Sequence, residues 1–308
     1  MIKIINFHLV NDIDWFERMI CFLKSKYSMV SADDIHDFYQ TGTHLSKSCH
    51  ITVDDGDKTF YDIIFPVLKK HNVPATLFAS PKICREQINF WFQEIEGYDE
   101  TVLRKIIAEA LELSVNILAK YSLPSILKAM PVAQIHAIIK SYQKTTGTVP
   151  KPCQNMTVDQ LKEVDRSDVV TVGAHTMNHP ILSNQDDASS RYEIEASVAG
   201  LRELLGHDIK YFAYPNGIYK LDFTEREEGC LADSGIQLTF TTEAKNLSLN
   251  DKRMRVPRIG VSNAENMLFL KTKLLTGSQW DKLKKLKTTG EFKERTELNR
   301  VLKGTVLA

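Results

Sequence analysis

No charge of either sign predominates in this chain of 308 residues: lysine plus arginine and aspartate plus glutamate each total 39, for a formal net charge of +0. That balance provides no broad electrostatic attraction to nucleic acid or to an anionic membrane, so neither is expected as a partner. No apolar run approaches the roughly 20 residues that a membrane-spanning helix needs, and no membrane span is expected. The first residues lack a basic stretch, a long apolar core and a small-residue cleavage site, and Met1 leads directly into a strand-like segment. The five cysteines, Cys21, Cys49, Cys84, Cys153 and Cys230, are odd in number, scattered and without a Cys-x-x-Cys pair. A disulfide scaffold is therefore not expected, and reduced thiols in a cytoplasmic protein are.

What is present is an ordinary core-forming composition, 43% hydrophobic and 25% charged, long enough for one α/β barrel or two smaller domains. Residues 3–10 read as a short β-branched strand, and Trp15, Phe16, Met19, Ile20 and Leu23 then recur at helical spacing. A lone histidine near that strand's end, His8, reads by default as a core residue with a satisfied ring nitrogen. Residues 50–53 form a second strand ending at Asp54-Asp55-Gly56, followed by the helical pattern of Phe60, Ile63, Ile64, Val67 and Leu68. Residues 75–79 complete a βαβ unit with parallel strands.

Residues 82–152 break this rhythm with helix formers and no strand candidate, which predicts an inserted helical subdomain. Its aromatic start (Phe90, Trp91, Phe92) and its stripes (Leu103, Ile106, Ile107; Ile135, Ile138, Ile139) read as buried packing. Thr157 and Gln160 have capping-box spacing. Strands at 169–174, 210–214 and 237–241, with a helix marked by Ile194, Val198 and Leu201, restore the alternation, so the expected class is α/β with helices outside a parallel sheet or barrel. From about Asn263 the chain is helical, and the lysine-rich run 271–287 reads as a solvated face.

Two polar clusters follow apolar strands, where alternating α/β folds gather chemistry at strand C-terminal ends. One is Thr52-Val53-Asp54-Asp55-Gly56; the other is His175-Thr176-Met177-Asn178-His179-Pro180. Pro180 disfavours a helical His179, so the pair is expected on a loop. Two imidazoles and one carboxylate leave a tetrahedral ion's fourth position open, as in catalytic zinc sites. Of the adjacent aspartates, one can bind the ion and the other accept a proton. Taken alone, each motif is also a common surface turn.

A third stretch, Phe212-Ala213-Tyr214-Pro215-Asn216-Gly217, again follows a strand. Together the three resemble the motifs of the polysaccharide deacetylase family (carbohydrate esterase family 4, NodB-like), over about residues 2–261, with Val53 for the usual phenylalanine. The resemblance implies a distorted (β/α)7 barrel; joined to the pattern read above, this gives a deacetylase barrel over 1–262, including the helical insertion at 82–156, and a C-terminal helical tail at 263–308. It further implies Asp55, His175 and His179 as metal ligands, Asp54 as general base, and Pro215, Asn216 and Tyr214 as the oxyanion and substrate-binding stretch. The metal is expected to be zinc, although nickel, cobalt or iron would accept the same ligands.

No histidine follows His207, and Ala213 stands where an arginine is common, both departures from the family pattern. Phe7-His8 resembles the first-strand pair of the poly-N-acetylglucosamine deacetylase subgroup, which makes His8 the catalytic acid rather than a core residue. Arg258 resembles that subgroup's base-orienting arginine, with Arg255 a close rival. The implied function is metal-dependent removal of N-acetyl groups from an acetylated carbohydrate. The alternatives are an O-acetyl esterase and a catalytically silent glycan-binding member of the same fold.

Overall fold

The structure is a computed structural model that describes residues 2–42, 45–276 and 290–302. Its strands are β1 (Ile2–Phe7), β2 (Ser28–Met29), β3 (Ser48–Val53), β4 (Ala75–Ala79), β5 (Val170–Ala174), β6 (Tyr211–Ala213), β7 (Leu238–Phe240) and β8 (Ile259–Gly260). They pair in the order β7-β6-β5-β4-β3-β1-β8, with the short β2 also beside β3. Every pairing between these strands is parallel.

The two ends of this sheet meet. Val256 donates to the Thr239 carbonyl and accepts from Thr241 N–H, both at 2.8 Å, while a few residues on β8 pairs with β1. The seven strands on the path thus close into a distorted (β/α)7 barrel with helices outside.

Period-two alternation sorts the side chains. Ile4, Phe78, Tyr211, Ala213, Leu238, Phe240 and Val256 form one buried cluster, the barrel interior. Ile5, Phe7, Ile51, Val53, Leu77, Val172 and Phe212 face the other way, against helical residues such as Phe16, Ile20, Leu68, Ile194 and Leu201. Phe78 fills the interior so fully that a Cβ at Gly173, its register partner, would lie 2.6 Å from the Phe78 ring. Glycine is required there for close approach.

The expected break after β4 is an all-helical insertion, with helices at Glu100–Ala110 and Val132–Thr146 among others. It has its own core of Trp91, Leu103, Ile107, Leu118, Ile126, Ile135 and Ile138, which also takes in Leu298 of a helix at 290–302. The aliphatic stripes are buried packing, as their spacing predicts; of the aromatic start, Trp91 lies in this core and Phe92, half-buried, packs against it. Return to the barrel is marked by the Thr157–Gln160 capping box, both of whose hydrogen bonds form.

Shorter elements went unpredicted: β2, β8 and the helices Ala32–Thr41 and Glu225–Asp233. β2 and β8 are two residues each, too short for alternation to register. Of the lysine-rich run, 271–276 lies in the helix Met267–Thr276, and the remainder falls outside the described residues.

Candidate active site

β3 delivers the acidic turn to the barrel mouth. Asp54 keeps the inward phase of Thr52, and its N–H donates to the Phe7 carbonyl at 3.1 Å, continuing the β1–β3 ladder. The chain then reverses through two left-handed residues, Asp55 (φ 75°) and Gly56 (φ 71°). Aspartate tolerates that conformation better than most side chains, and glycine has no Cβ to clash. The two carboxylates are thereby aimed at different neighbours.

Asp54 meets Arg258. The guanidinium grips it with both arms, Nη1 to Oδ1 at 2.6 Å and Nη2 to Oδ2 at 2.9 Å, and Asn6 Nδ2 adds a bond to Oδ2 at 3.1 Å. Arg258 is itself anchored on the Thr241 carbonyl (2.9 Å) and Asn6 Oδ1 (3.0 Å), and lies over the Phe78 ring. Burial pushes the Asp54 carboxyl up, but Arg258 and the nearby imidazoles outweigh it and hold the group below the usual carboxylate range. Asp54 is therefore ionised at neutral pH.

His8 lies just beyond the end of β1, its Nε2 3.6 Å from Asp54 Oδ2, with the side chain 54% exposed. The default expectation of a core histidine fails: the chain leaves the sheet at Phe7 and the ring faces the mouth. The rival Arg255 lies elsewhere, over the Tyr219 ring and paired with Glu225 and Glu228. Only Arg258 of the two reaches Asp54.

Asp55 meets the histidine pair. Its Oδ1 is 3.4 Å from His175 Nε2 and 3.7 Å from His179 Nε2. All three side chains are buried, with one donor atom from each within 4.8 Å of the others. As expected, the pair sits on a loop. His175 extends the β4–β5 ladder through its N–H to the Ala79 carbonyl, and its Nδ1 faces the Ala213 carbonyl at 2.7 Å. The carbonyl can only accept, so Nδ1 carries a hydrogen, and in the neutral ring Nε2 presents its lone pair toward Asp55.

Asp55 Oδ1, His175 Nε2 and His179 Nδ1 have no hydrogen-bond partner among the described residues. Buried polar atoms are rarely left so, and two of these three converge with the second histidine's Nε2 on one point. The donor set of two nitrogens and one carboxylate oxygen fits a divalent metal. Burial pushes the His179 imidazole down to about 3, so it stays neutral, the form that can donate a lone pair. The insertion closes over this side: Phe92 and Phe90 contact the His179 ring at 4.9 and 5.6 Å, and Trp91 Nε1 donates to the His179 carbonyl at 3.0 Å.

The third motif is a turn after β6. Asn216 and Gly217 both have positive φ, 58° and 73°, and a Cβ on Gly217 would lie 3.0 Å from Thr242 N. Pro215 is buried and Asn216 half-buried. Tyr214 is buried, its ring stacked 3.6 Å from that of Phe223, its N–H on the Phe240 carbonyl and its hydroxyl toward Met254 O and Thr239. Its polar groups are thus committed to the fold, leaving Asn216 as the motif's accessible part.

Sequence reasoning missed Asn6, which touches both Asp54 and Arg258, and Glu193, which binds the histidine loop. The available signals were an amide inside the apolar run Ile4-Ile5-Asn6-Phe7 and a glutamate beside Ile194 on a helix's apolar face.

Fold and site define a parallel α/β barrel whose mouth carries a carboxylate–bis-histidine cluster beside an arginine-held second carboxylate. The sequence profile described as polysaccharide deacetylase matches residues 41–230, and the chain belongs to that family. No curated protein matches the chain in sequence. Among solved structures, it is similar to the Streptococcus pyogenes deacetylase PplD in complex with acetate, with 17% identity over 89% of this chain and 96% of that one and a TM-score of 0.59. IcaB from Ammonifex degensii aligns at 20% identity over 85% and 92%, with a TM-score of 0.56. A de-N-acetylase from Aggregatibacter actinomycetemcomitans aligns at 17% over 88% and 98%, with a TM-score of 0.59. At these identities the structures establish a shared fold.

Proposed function

We propose that this polysaccharide deacetylase removes N-acetyl groups from N-acetylhexosamine residues of a glycan or glycan precursor, using Asp54 as base and His8 as acid. The observation that carries this reading is the division of labour between adjacent carboxylates: Asp55 faces the Nε2 atoms of two buried histidines, while Asp54 is held ionised by Arg258 and lies beside His8. Similarity to a deacetylase bound to acetate and to a de-N-acetylase supports acetamide hydrolysis.

Asp55, His175 and His179 would hold the metal, most simply zinc, which supplies a polarised carbonyl and a more acidic water. Asp54, fixed by Arg258 and Asn6, accepts the proton of the attacking water. The Asn216 backbone N–H stabilises the oxyanion. An amine leaves poorly unless protonated, and His8 Nε2, at the open edge of the site, delivers that proton. The five cysteines, all free thiols, support the cytoplasmic placement.

Acetate release from N-acetylglucosamine oligomers, measured after metal stripping and restoration with zinc, cobalt or nickel, tests the reading. Asp54→Asn is expected to lower turnover roughly 10²–10⁴-fold. Full turnover in that variant would remove Asp54 from its role. Turnover confined to acetyl-xylan would select the ester hydrolase, and glycan binding without turnover the silent relative.

A further inference from the structure

The loop carrying the two histidines is gripped by a residue outside all three motifs. Thr176 and His179 both adopt positive φ, 64° and 54°. For a β-branched residue such as Thr176 this is a strained conformation, kept only where surrounding contacts over-determine it. Glu193, on the helix Asp187–Leu205 and 3% exposed, supplies such contacts. Its Oε2 accepts from the N–H groups of Met177 and Asn178, both at 2.9 Å, and its Oε1 accepts from Asn178 Nδ2 at 2.6 Å. From the β4 side, Lys82 Nζ donates to Asn178 Oδ1 at 2.7 Å and Ser80 Oγ to the Met177 carbonyl at 2.8 Å.

We propose that Glu193 is a positioning residue for the metal centre: by holding the backbone between the two histidines, it makes both imidazoles converge on Asp55. The proposal rests on the reading of Asp55, His175 and His179 as metal ligands. Glu193 acts through the Met177 and Asn178 amides and leaves the ligand set unchanged. Charge-assisted bonds to a carboxylate are about twice as strong as neutral ones, which suits a group opposing backbone strain. Removing a partner that orients metal ligands weakens binding roughly 10–100-fold.

The test is Co²⁺ titration of the metal-stripped full chain and of Glu193→Gln, Glu193→Ala and Asn178→Ala, following Kd and the visible absorption of bound Co²⁺, with circular dichroism as the check on folding. Glu193→Ala is expected to weaken binding roughly 10–100-fold and to alter the Co²⁺ spectrum. Glu193→Gln, which keeps one acceptor oxygen for the two backbone amides, should recover much of both. Asn178→Ala, which cuts only the side-chain arm, should fall between. Wild-type affinity and spectrum in folded Glu193→Ala overturn the proposal. If that variant does not fold, unchanged affinity in both of the others overturns it instead. Failure of the wild type to bind Co²⁺, Zn²⁺ or Ni²⁺ removes the underlying metal reading, a result separable from any effect at Glu193.

Discussion

Among the described residues two arginines are completely buried, each against an aspartate, and the surroundings make opposite uses of the same pair. At the barrel mouth, Arg258 holds Asp54 with both arms, and Thr241, Asn6 and Thr52 accept its remaining bonds. In the loop after β6, Asp222 is reached by Arg295 of the helix at 290–302 through one contact, Nη2 to Oδ1 at 2.7 Å; Arg295 Nη1 lies 3.5 Å from Glu291 Oε1, and its Nε finds no partner among the described residues. Burial acts on both carboxylates in the same direction. It is outweighed at Asp54, which titrates below its ordinary range, and prevails at Asp222, which is pushed above it. The lesson is that a buried ion pair becomes a stable charge only when each partner's remaining hydrogen-bonding groups are also satisfied. Asp54 is thereby kept ionised, the state the proposed base needs, whereas Asp222 binds the loop backbone at Ile218.

The largest effect is expected at Arg258, because stability and chemistry both depend on it. Arg258→Met leaves the Asp54 carboxylate buried and unpaired, which should cost about 3–5 kcal/mol of folding stability. It should also lower deacetylation on the order of 10²-fold or more, since protonation of Asp54 removes the base. Urea unfolding and acetate release measure the two losses. Arg258→Lys should repair little, because an ammonium cannot reproduce the two-armed geometry. A variant that keeps full turnover would show that Asp54 needs no arginine, and the contrast with Asp222 would lose its functional meaning.

Arg295→Met should separate the two regions. Breaking the second pair is expected to cost about 3–5 kcal/mol in stability as well. Turnover per folded molecule should change far less than for Arg258→Met. Asp222 binds the Ile218 N–H at 2.7 Å and its carbonyl accepts from Ser183 N–H at 3.0 Å, so the loop retains these local ties. Equal losses of turnover in the two variants would mean that the helix at 290–302 belongs to the catalytic apparatus. That helix also buries Leu298 in the insertion core and pairs Glu291 with Lys128, so it ties the insertion to the loop after β6.

How much of this was legible in the sequence follows from the range over which each contact forms. The acidic turn and the histidine pair are local: polar residues at the ends of β-branched runs announce a strand terminus whatever lies beside it. The parallel βαβ rhythm and the inserted helices were readable for the same reason. Choosing between Arg255 and Arg258 was not, because the turn Arg253–Arg255 rotates one outward and the pairing of the next residues carries the other inward. Asn6 and Glu193 owe their roles to partners far along the chain, β3 for one and the loop after β5 for the other. Arg295 is hidden most completely. In a lysine-rich, polar C-terminal stretch nothing marks one cation as buried, and only the docked helix shows which face turns inward.

The smallest effect tests the sign of the difference. Burial raises Asp222 above its ordinary value of 3.8, against the pull of Arg295, the Ile218 N–H and Lys128. A carboxyl whose folded pKa is raised binds protons more tightly in the native state, so its contribution to stability declines as pH rises through the interval between the unfolded and the raised folded values. Asp222→Asn removes that titration while keeping the shape. The variant leaves Arg295 paired with Glu291 and facing a neutral amide, as in the wild type where Asp222 is protonated, and it should gain on the wild type as pH rises above about 4, by roughly 1.4 kcal/mol for each tenfold by which folding tightens proton binding. Urea midpoints of both proteins at several pH values across that interval measure the gap. A wild type that instead gains on the variant as pH rises would place the folded pKa of Asp222 below its unfolded value, and would make the single-contact pair the electrostatic equal of the fully bonded one at the barrel mouth.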